Sequence, residues 1–399
     1  MRTLTWLRAH AAHLAVVGAL ALPAYVAGTA PTSENRNLAP LPAPPGDLAG
    51  ALALPARLDA WINDHFGWRD QLIGYNTRLR YALFREFPTV QMVSGRHGRV
   101  FLAAHLTTLA PYSAITNVCG PGPVLDGVAV PARHFNVLLG DLRALGFRPL
   151  LLIAPSAPLV EYQDLPVWLS RRCATTRTPV ADVLDSALLT SQTRAAILYP
   201  LAQMRALAAN DALFPKTWFH WSGPGLAGVV DLSMARLSGQ PVPAAPPLPT
   251  HSEEMASDVS HLFNGVRLTS IVTTPDYAAA GIAACFGTGC FPELGSAAAK
   301  LKDVSRVRNP HAPLKRRLLI LSDSFGSHIS GWYARYYSQV DQVSGNDVPQ
   351  LDAAEVKRVR AVLLRDPGDT DLLVLYHDGA AIAKAIRRGL GPLHAPAPG

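Results

Sequence analysis

The sequence predicts an α/β protein in which a parallel sheet lies between two layers of helices. Three short apolar runs, Phe147–Ala154, Leu318–Leu321 and Leu372–Tyr376, carry the prediction. They are dense in Leu, Ile and Val and show almost no polar alternation, as strands buried on both faces do. Between the runs stand stretches of helical period, and strands alternating with helices pack as three layers.

Taken in order, residues 1–30 read as a targeting segment. Arg2 and Arg8 precede an apolar stretch from Ala9 to Gly28, and Gly-Thr-Ala follows. Cleavage after Ala30 would remove it as a signal peptide; retained, it is long enough to anchor the chain in the inner membrane as one helix. Either way residues 31–399 face an exported compartment, the periplasm. Residues 31–50 form a Pro/Ala-rich linker, and 51–390 one α/β domain. Leu54–Phe84 carries apolar residues at helical spacing (Leu58, Ile62, Phe66; Leu72, Tyr75, Leu79, Leu83), giving two helices or one broken at Gly67. Val90–Leu102 reads as a hairpin around Gly95–Gly98. Asn136–Leu145 is a helix capped at Gly146, and Phe147–Ala154 a buried parallel strand. Leu198–Asn210 and Leu226–Leu237 are further helices. Gln240–Thr250, with five prolines in eleven residues, opens an irregular insertion that runs to about residue 310. Then come the strand Leu318–Leu321, the helix Leu351–Leu364 and the last strand Leu372–Tyr376. From Gly391 the tail is Pro/Ala-rich and frayed.

Composition narrows the function. An apolar fraction of 49% suffices for a large core, and the net charge of +7 is spread along the chain without a basic arm for nucleic acid. The one dense cluster, Lys315-Arg316-Arg317, is either a solvated strand entrance or a guide for an anionic substrate. No phosphate loop, dinucleotide fingerprint or H-E-x-x-H occurs. Of the four cysteines, Cys285 and Cys290 flank the tight loop Phe-Gly-Thr-Gly, which predicts that bridge and leaves Cys119–Cys173. Their spacing lacks the paired C-x2-C form of structural zinc.

The strand Leu318–Leu321 runs into Ser322-Asp323-Ser324-Phe325-Gly326. A serine there projects into the crevice at the carboxyl edge of the sheet. It becomes a nucleophile only beside a base, and the candidate base is His220, in Phe214-Pro215-Lys216-Thr217-Trp218-Phe219-His220-Trp221. The bland readings are a helix-capping Ser324 and a His220 packed among aromatics. Asp323, next in line to Ser324, points to the opposite strand face and anchors the loop. Tyr376-His377-Asp378 also ends a core strand, so His377 is a rival base or a turn residue. Trp221, Trp332 and Tyr333 could stack a sugar ring, with core packing as the default.

These segments resemble the alginate O-acetyltransferase (AlgJ/AlgX-type) group of SGNH-hydrolase-like proteins, which carries Asp-x-His-Trp ahead of a Gly-Asp-Ser-Phe strand. The order of weaker landmarks agrees from about residue 34 to 384: Glu34-Asn35-Arg36, Asp64–Arg69, Ser94–Phe101, Leu150–Pro155 and Glu161–Pro166. Trp68 and Arg69 would tie the N-terminal helices to the sheet. Two positions depart: Trp218 replaces the aspartate, and Ser322 the glycine. The acid that should orient His220 must then come from Asp211, from Asp378, or be replaced by a backbone carbonyl. The resemblance implies a polysaccharide O-acetyltransferase. Ser324, activated by His220, would take an acetyl group from a membrane-bound O-acyltransferase partner and pass it to a glycan hydroxyl, without metal or diffusible cofactor. A carbohydrate esterase using the same pair, and a catalytically impaired glycan-binding scaffold, are the alternatives.

Overall fold

The computed structural model describes residues 10–11, 13, 15–18, 39–65, 69–120, 127–237, 241–263, 265–382 and 384–394. Most of the targeting segment with its cleavage point, much of the linker, Glu34-Asn35-Arg36, Phe66–Trp68 and the last five residues of the tail lie outside them, as does the side chain of Arg69. Among the described residues no helix is long and apolar enough to cross a membrane.

The chain divides into two units, Met1–Pro88 with Phe263–Arg267, and Thr89–Leu262 with Leu268–Gly399. In the first, the helical spacing resolves into two helices, Leu48–His65 and Arg69–Phe84. The Asp64 carboxylate accepts the Ala39 N–H at 2.7 Å, and Phe87 packs between Tyr81 and Phe263.

The second unit begins with a small hairpin, β1 (Met92–Ser94) and β2 (Val100–Leu102). Its main sheet comprises β3 (Pro149–Ala154), β4 (Ile197–Leu198), β7 (Ala283–Phe286), β8 (Val304–Arg308), β9 (Leu314–Ser322), β10 (Tyr337–Ser344) and β11 (Thr370–His377), in the order β4-β3-β11-β9-β10-β8-β7. β4, β3, β11, β9 and β10 run parallel, whereas β8 pairs antiparallel to both β10 and β7. A separate hairpin, β5 (Thr250–Ala256) with β6 (Thr269–Pro275), stands apart from this sheet. The sheet is thus parallel with an antiparallel edge, which Val304-Ser305-Arg306-Val307-Arg308, polar at three of its five positions, did not announce.

The apolar runs are explained by two cores, one on each face. Leu318, Ile320, Leu373 and Leu375 point to one side, with helices Leu201–Ala208, Leu226–Leu237 and Phe325–Ser330. Leu319, Leu321, Leu372 and Val374 point to the other, with Ala129–Ala144, Ala353–Leu363 and Lys384–His394. Successive residues of a strand face opposite ways, so a strand covered on both sides must be apolar throughout.

Several boundaries move. The helix expected from Leu198 begins at Leu201, because Leu198 pairs with Leu152 as edge strand β4 and Pro200 opens the helix. The helix expected over Asn136–Leu145 starts earlier, at Ala129, and Gly146 closes it at φ +91°. The tail is helical to His394, where Ile386, Leu390 and Leu393 bury one face. Cys119–Cys173 and Cys285–Cys290 are both disulfide-bonded.

Candidate active site

Ser324 follows β9 at the carboxyl edge of the sheet and starts the helix Phe325–Ser330. The turn is held by Asp323, whose carboxylate accepts the Phe325 N–H at 3.0 Å, the His377 N–H at 2.8 Å and the His377 ring Nδ1 at 2.7 Å. Asp323 therefore anchors the loop, as its position on the strand predicted. Gly326 is needed for close approach: a Cβ there would lie 2.0 Å from Ser322 Oγ. Ser322, at the resemblance's glycine position, is buried and accepts from Gln342 Nε2.

His220 reaches the same place from a long loop that three neighbours brace. Arg99, buried at the end of the β1–β2 hairpin, donates to Phe214 O at 3.0 Å and pairs with Asp164 at 2.9 Å. The β5–β6 hairpin bonds the loop at Thr217 and Ser222 through Ser270 and Thr273. Trp221, fully buried, donates its indole N–H to Phe325 O at 2.8 Å. The His-Trp pair thus has a physical role: the tryptophan pins the histidine loop to the first residue after Ser324.

The result is a continuous chain. His220 Nε2 lies 2.8 Å from Ser324 Oγ, and His220 Nδ1 lies 2.7 Å from Asp258 Oδ2. The backbone N–H groups of Phe219 and His220 also donate to Asp258, at 2.9 and 3.0 Å. Burial by itself pushes the Asp258 carboxyl up; the His220 hydrogen bond and charge and the two N–H groups outweigh it, so its pKa lies below the ordinary value. An ionised Asp258 holds the Nδ1–H tautomer, which leaves Nε2 free to take the serine proton.

The acid is therefore neither of those expected. Asp211 remains exposed after the helix Leu201–Ala208 and makes no bond to His220. Asp378 accepts from Ser156 N and Oγ and from Gly379 N, at the adjacent strand edge. A backbone carbonyl is not the partner of Nδ1 either. Trp218, at the resemblance's aspartate position, packs edge-on against His328. Asp258 comes from the connection after β5, inside the stretch that the sequence left as an uncharacterised insertion. No local pattern marks it; only the hairpin's packing brings it within reach.

His377 is not joined to Ser324. Its Nδ1 is taken by Asp323, and the rings of Phe219 and Phe325 lie between it and His220. Burial alone would push its pKa down, but Asp323 reverses the shift upward. Trp221, Trp332 and Tyr333 are buried, so none presents a face to a sugar. A small pocket of about 20 Å³ lies beside the site, lined among others by His105, Ser156, Trp218, Phe219 and His377.

His328, one turn after Ser324, stacks on His220 with ring centroids 4.8 Å apart and planes 20° from parallel. Burial and the neighbouring His220 push its pKa down from 6.5 to about 3, against a weaker upward pull from Asp258. The unfolded chain binds this proton first, so the neutral ring's contribution is complete above pH 6.5 and is lost as pH falls from there toward 3. In urea titrations between pH 7 and pH 4.5, His328→Asn should flatten the acid limb by up to about 1.4 kcal/mol per pH unit. An unchanged slope would remove His328 from that linkage.

No protein-family model matches the sequence, and no curated protein matches it. Among solved structures, the fold is similar to a DHHW family protein from Eubacterium siraeum (TM-score 0.46, 13% identity, 70% of this chain and 92% of that one). It is also similar to PatB1 of Bacillus cereus (0.42, 14%, 66% and 93%) and to the O-acetyltransferase domain of AlgJ from Pseudomonas putida (0.40, 13%, 73% and 92%). Each is a partial likeness of backbone.

Proposed function

We propose that the protein is an acyltransferase that moves an acetyl group through an ester on Ser324 to a hydroxyl of a glycan, outside the cytoplasm. The observation that carries this reading is the Asp258–His220–Ser324 chain, at 2.7 and 2.8 Å, within the range of functional hydrogen bonds. The motif order along the sequence supports acetyl and glycan as the group and acceptor, with a membrane-bound O-acyltransferase as the donor partner. Two disulfides support an oxidising, exported compartment, the periplasm.

In this scheme Ser324 Oγ attacks the donor carbonyl as its proton passes to His220 Nε2. The tetrahedral intermediate collapses, and the leaving group departs with that proton. A glycan hydroxyl then gives its proton to His220 and attacks the acetyl-serine; collapse returns the proton to Ser324 Oγ. The Ser324 backbone N–H, which no protein acceptor takes among the described residues, is available to the oxyanion. Asp258 steadies the imidazolium formed in each half-reaction.

The test is intact-mass analysis after exposure to an activated acetyl ester or a fluorophosphonate. A single adduct is expected on the wild type, none on Ser324→Ala, and much slower labelling of His220→Ala. A folded wild type that takes no adduct, or an adduct that persists in Ser324→Ala, would overturn the assignment.

A further inference from the structure

The buried state of Trp221, Trp332 and Tyr333 leaves open where a sugar ring would stack, and a different aromatic pair answers it. We infer that Trp168 and Tyr112 form a stacking subsite for a pyranose ring of the acceptor glycan; the inference rests on the glycan reading above. Trp168 is 58% exposed near the start of the helix Val167–Cys173. Its ring meets Tyr112 edge to face, with centroids 4.8 Å apart and planes at 87°. Tyr112 in turn packs against the core beneath.

A single exposed tryptophan would need no explanation. Three features set this one apart. First, the two elements that present the pair are stapled together: Cys119–Cys173 joins them, and Arg172 donates to Cys119 O at 2.9 Å and to Thr116 O at 3.2 Å. A platform held this way loses little freedom on binding. Second, Tyr112 sits at φ +62°, a left-handed conformation that a tyrosine adopts only at a cost and that concentrates at ligand sites. Third, the same stretch of chain reaches the small pocket beside the reacting groups: His105, Ala114 and Val118 line it together with Trp218 and Phe219, whose neighbour is His220.

The ligand chemistry follows from the surface. A broad indole offers its face to the C–H face of a pyranose. Arg171, exposed one turn along the same helix, adds donors for hydroxyl or carboxylate oxygens.

Calorimetric titration with cellohexaose, chitohexaose and hexamannuronate tests the subsite. At least one is expected to bind the wild type. Trp168→Ala should weaken that probe about tenfold or more, while Trp168→Phe keeps most of the affinity. Labelling of Ser324 by the activated acetyl ester should be unchanged in both variants. Equal affinity in wild type and Trp168→Ala would overturn the subsite, and so would a wild type that labels at Ser324 yet binds none of the three. Trp168-dependent binding by a protein that does not label would keep the subsite and discard the acyltransfer reading.

Discussion

Asp258→Asn is expected to slow acylation of Ser324 by about 10⁴-fold while leaving the protein folded. The effect comes from the tautomer of His220. Asp258 Oδ2 accepts from His220 Nδ1, so the Nε2 facing Ser324 Oγ carries a lone pair. An asparagine can turn its amide N–H toward Nδ1, which favours the Nε2–H form, and that form has nothing with which to take the serine proton. The imidazolium of the transition state also loses its counter-charge. The asparagine oxygen can still accept from a loop N–H, which is why folding should survive. Single-turnover labelling with the activated acetyl ester, followed across pH, measures the effect. A loss of less than about tenfold would mean that the carboxylate orients the loop and not the chemistry. Asp211→Asn and Asp378→Asn serve as controls, because neither carboxylate touches His220.

The contrast between Ser324 and Asp258 shows what a sequence exposes. Ser324 sits at the end of an apolar strand and His220 beside a tryptophan, and each was legible because its motif lies in consecutive residues; the indole bond from Trp221 to Phe325 O that joins the two segments spans 104 positions and was not. Asp258 is joined to His220 only because the β5–β6 hairpin, itself mostly exposed and polar, folds over the histidine loop through Thr217–Ser270 and Ser222–Thr273 contacts. Nothing in Ser257-Asp258-Val259 distinguishes that aspartate from other loop acids. The same holds for aromatic residues. Trp221 stands between His220 and Ser222 and is core, whereas Trp168 stands between Val167 and Leu169 and is 58% exposed, so neighbours in sequence do not tell them apart. The strands covered on both faces were legible because burial forces their composition. The antiparallel edge was not, since β7 is exposed and β8 mixes valine with arginine.

Asp341→Ala is expected to destabilise the fold by about 3–5 kcal/mol. Asp341 lies in the middle of β10, fully buried, and accepts from Arg306 Nε at 2.8 Å, Arg317 Nε at 2.7 Å and Gln339 Nε2 at 2.8 Å. Arg306 keeps Glu293 at 2.6 Å, and Arg317 keeps the Leu363 carbonyl at 2.8 Å, and both side chains are about nine-tenths buried. Removing the shared carboxylate leaves two guanidinium groups facing each other in a low-dielectric interior. This also decides the role of the basic cluster before the serine strand. Lys315 donates to Pro310 O, Arg316 pairs with Asp371, and Arg317 pairs with Asp341. With about 3.3 Å of rise per residue, Arg317 lies some 17 Å from Ser322, where β9 ends, at the end of the strand opposite to Ser324. The cluster ties strands together and does not lead a substrate to the nucleophile. Urea unfolding of Asp341→Ala measures the cost, and the triple change Arg306→Met, Asp341→Leu, Arg317→Met should recover most of it by removing the charges with their partner. A single-variant loss below about 1 kcal/mol would mean that water reaches the guanidiniums and the network is not closed.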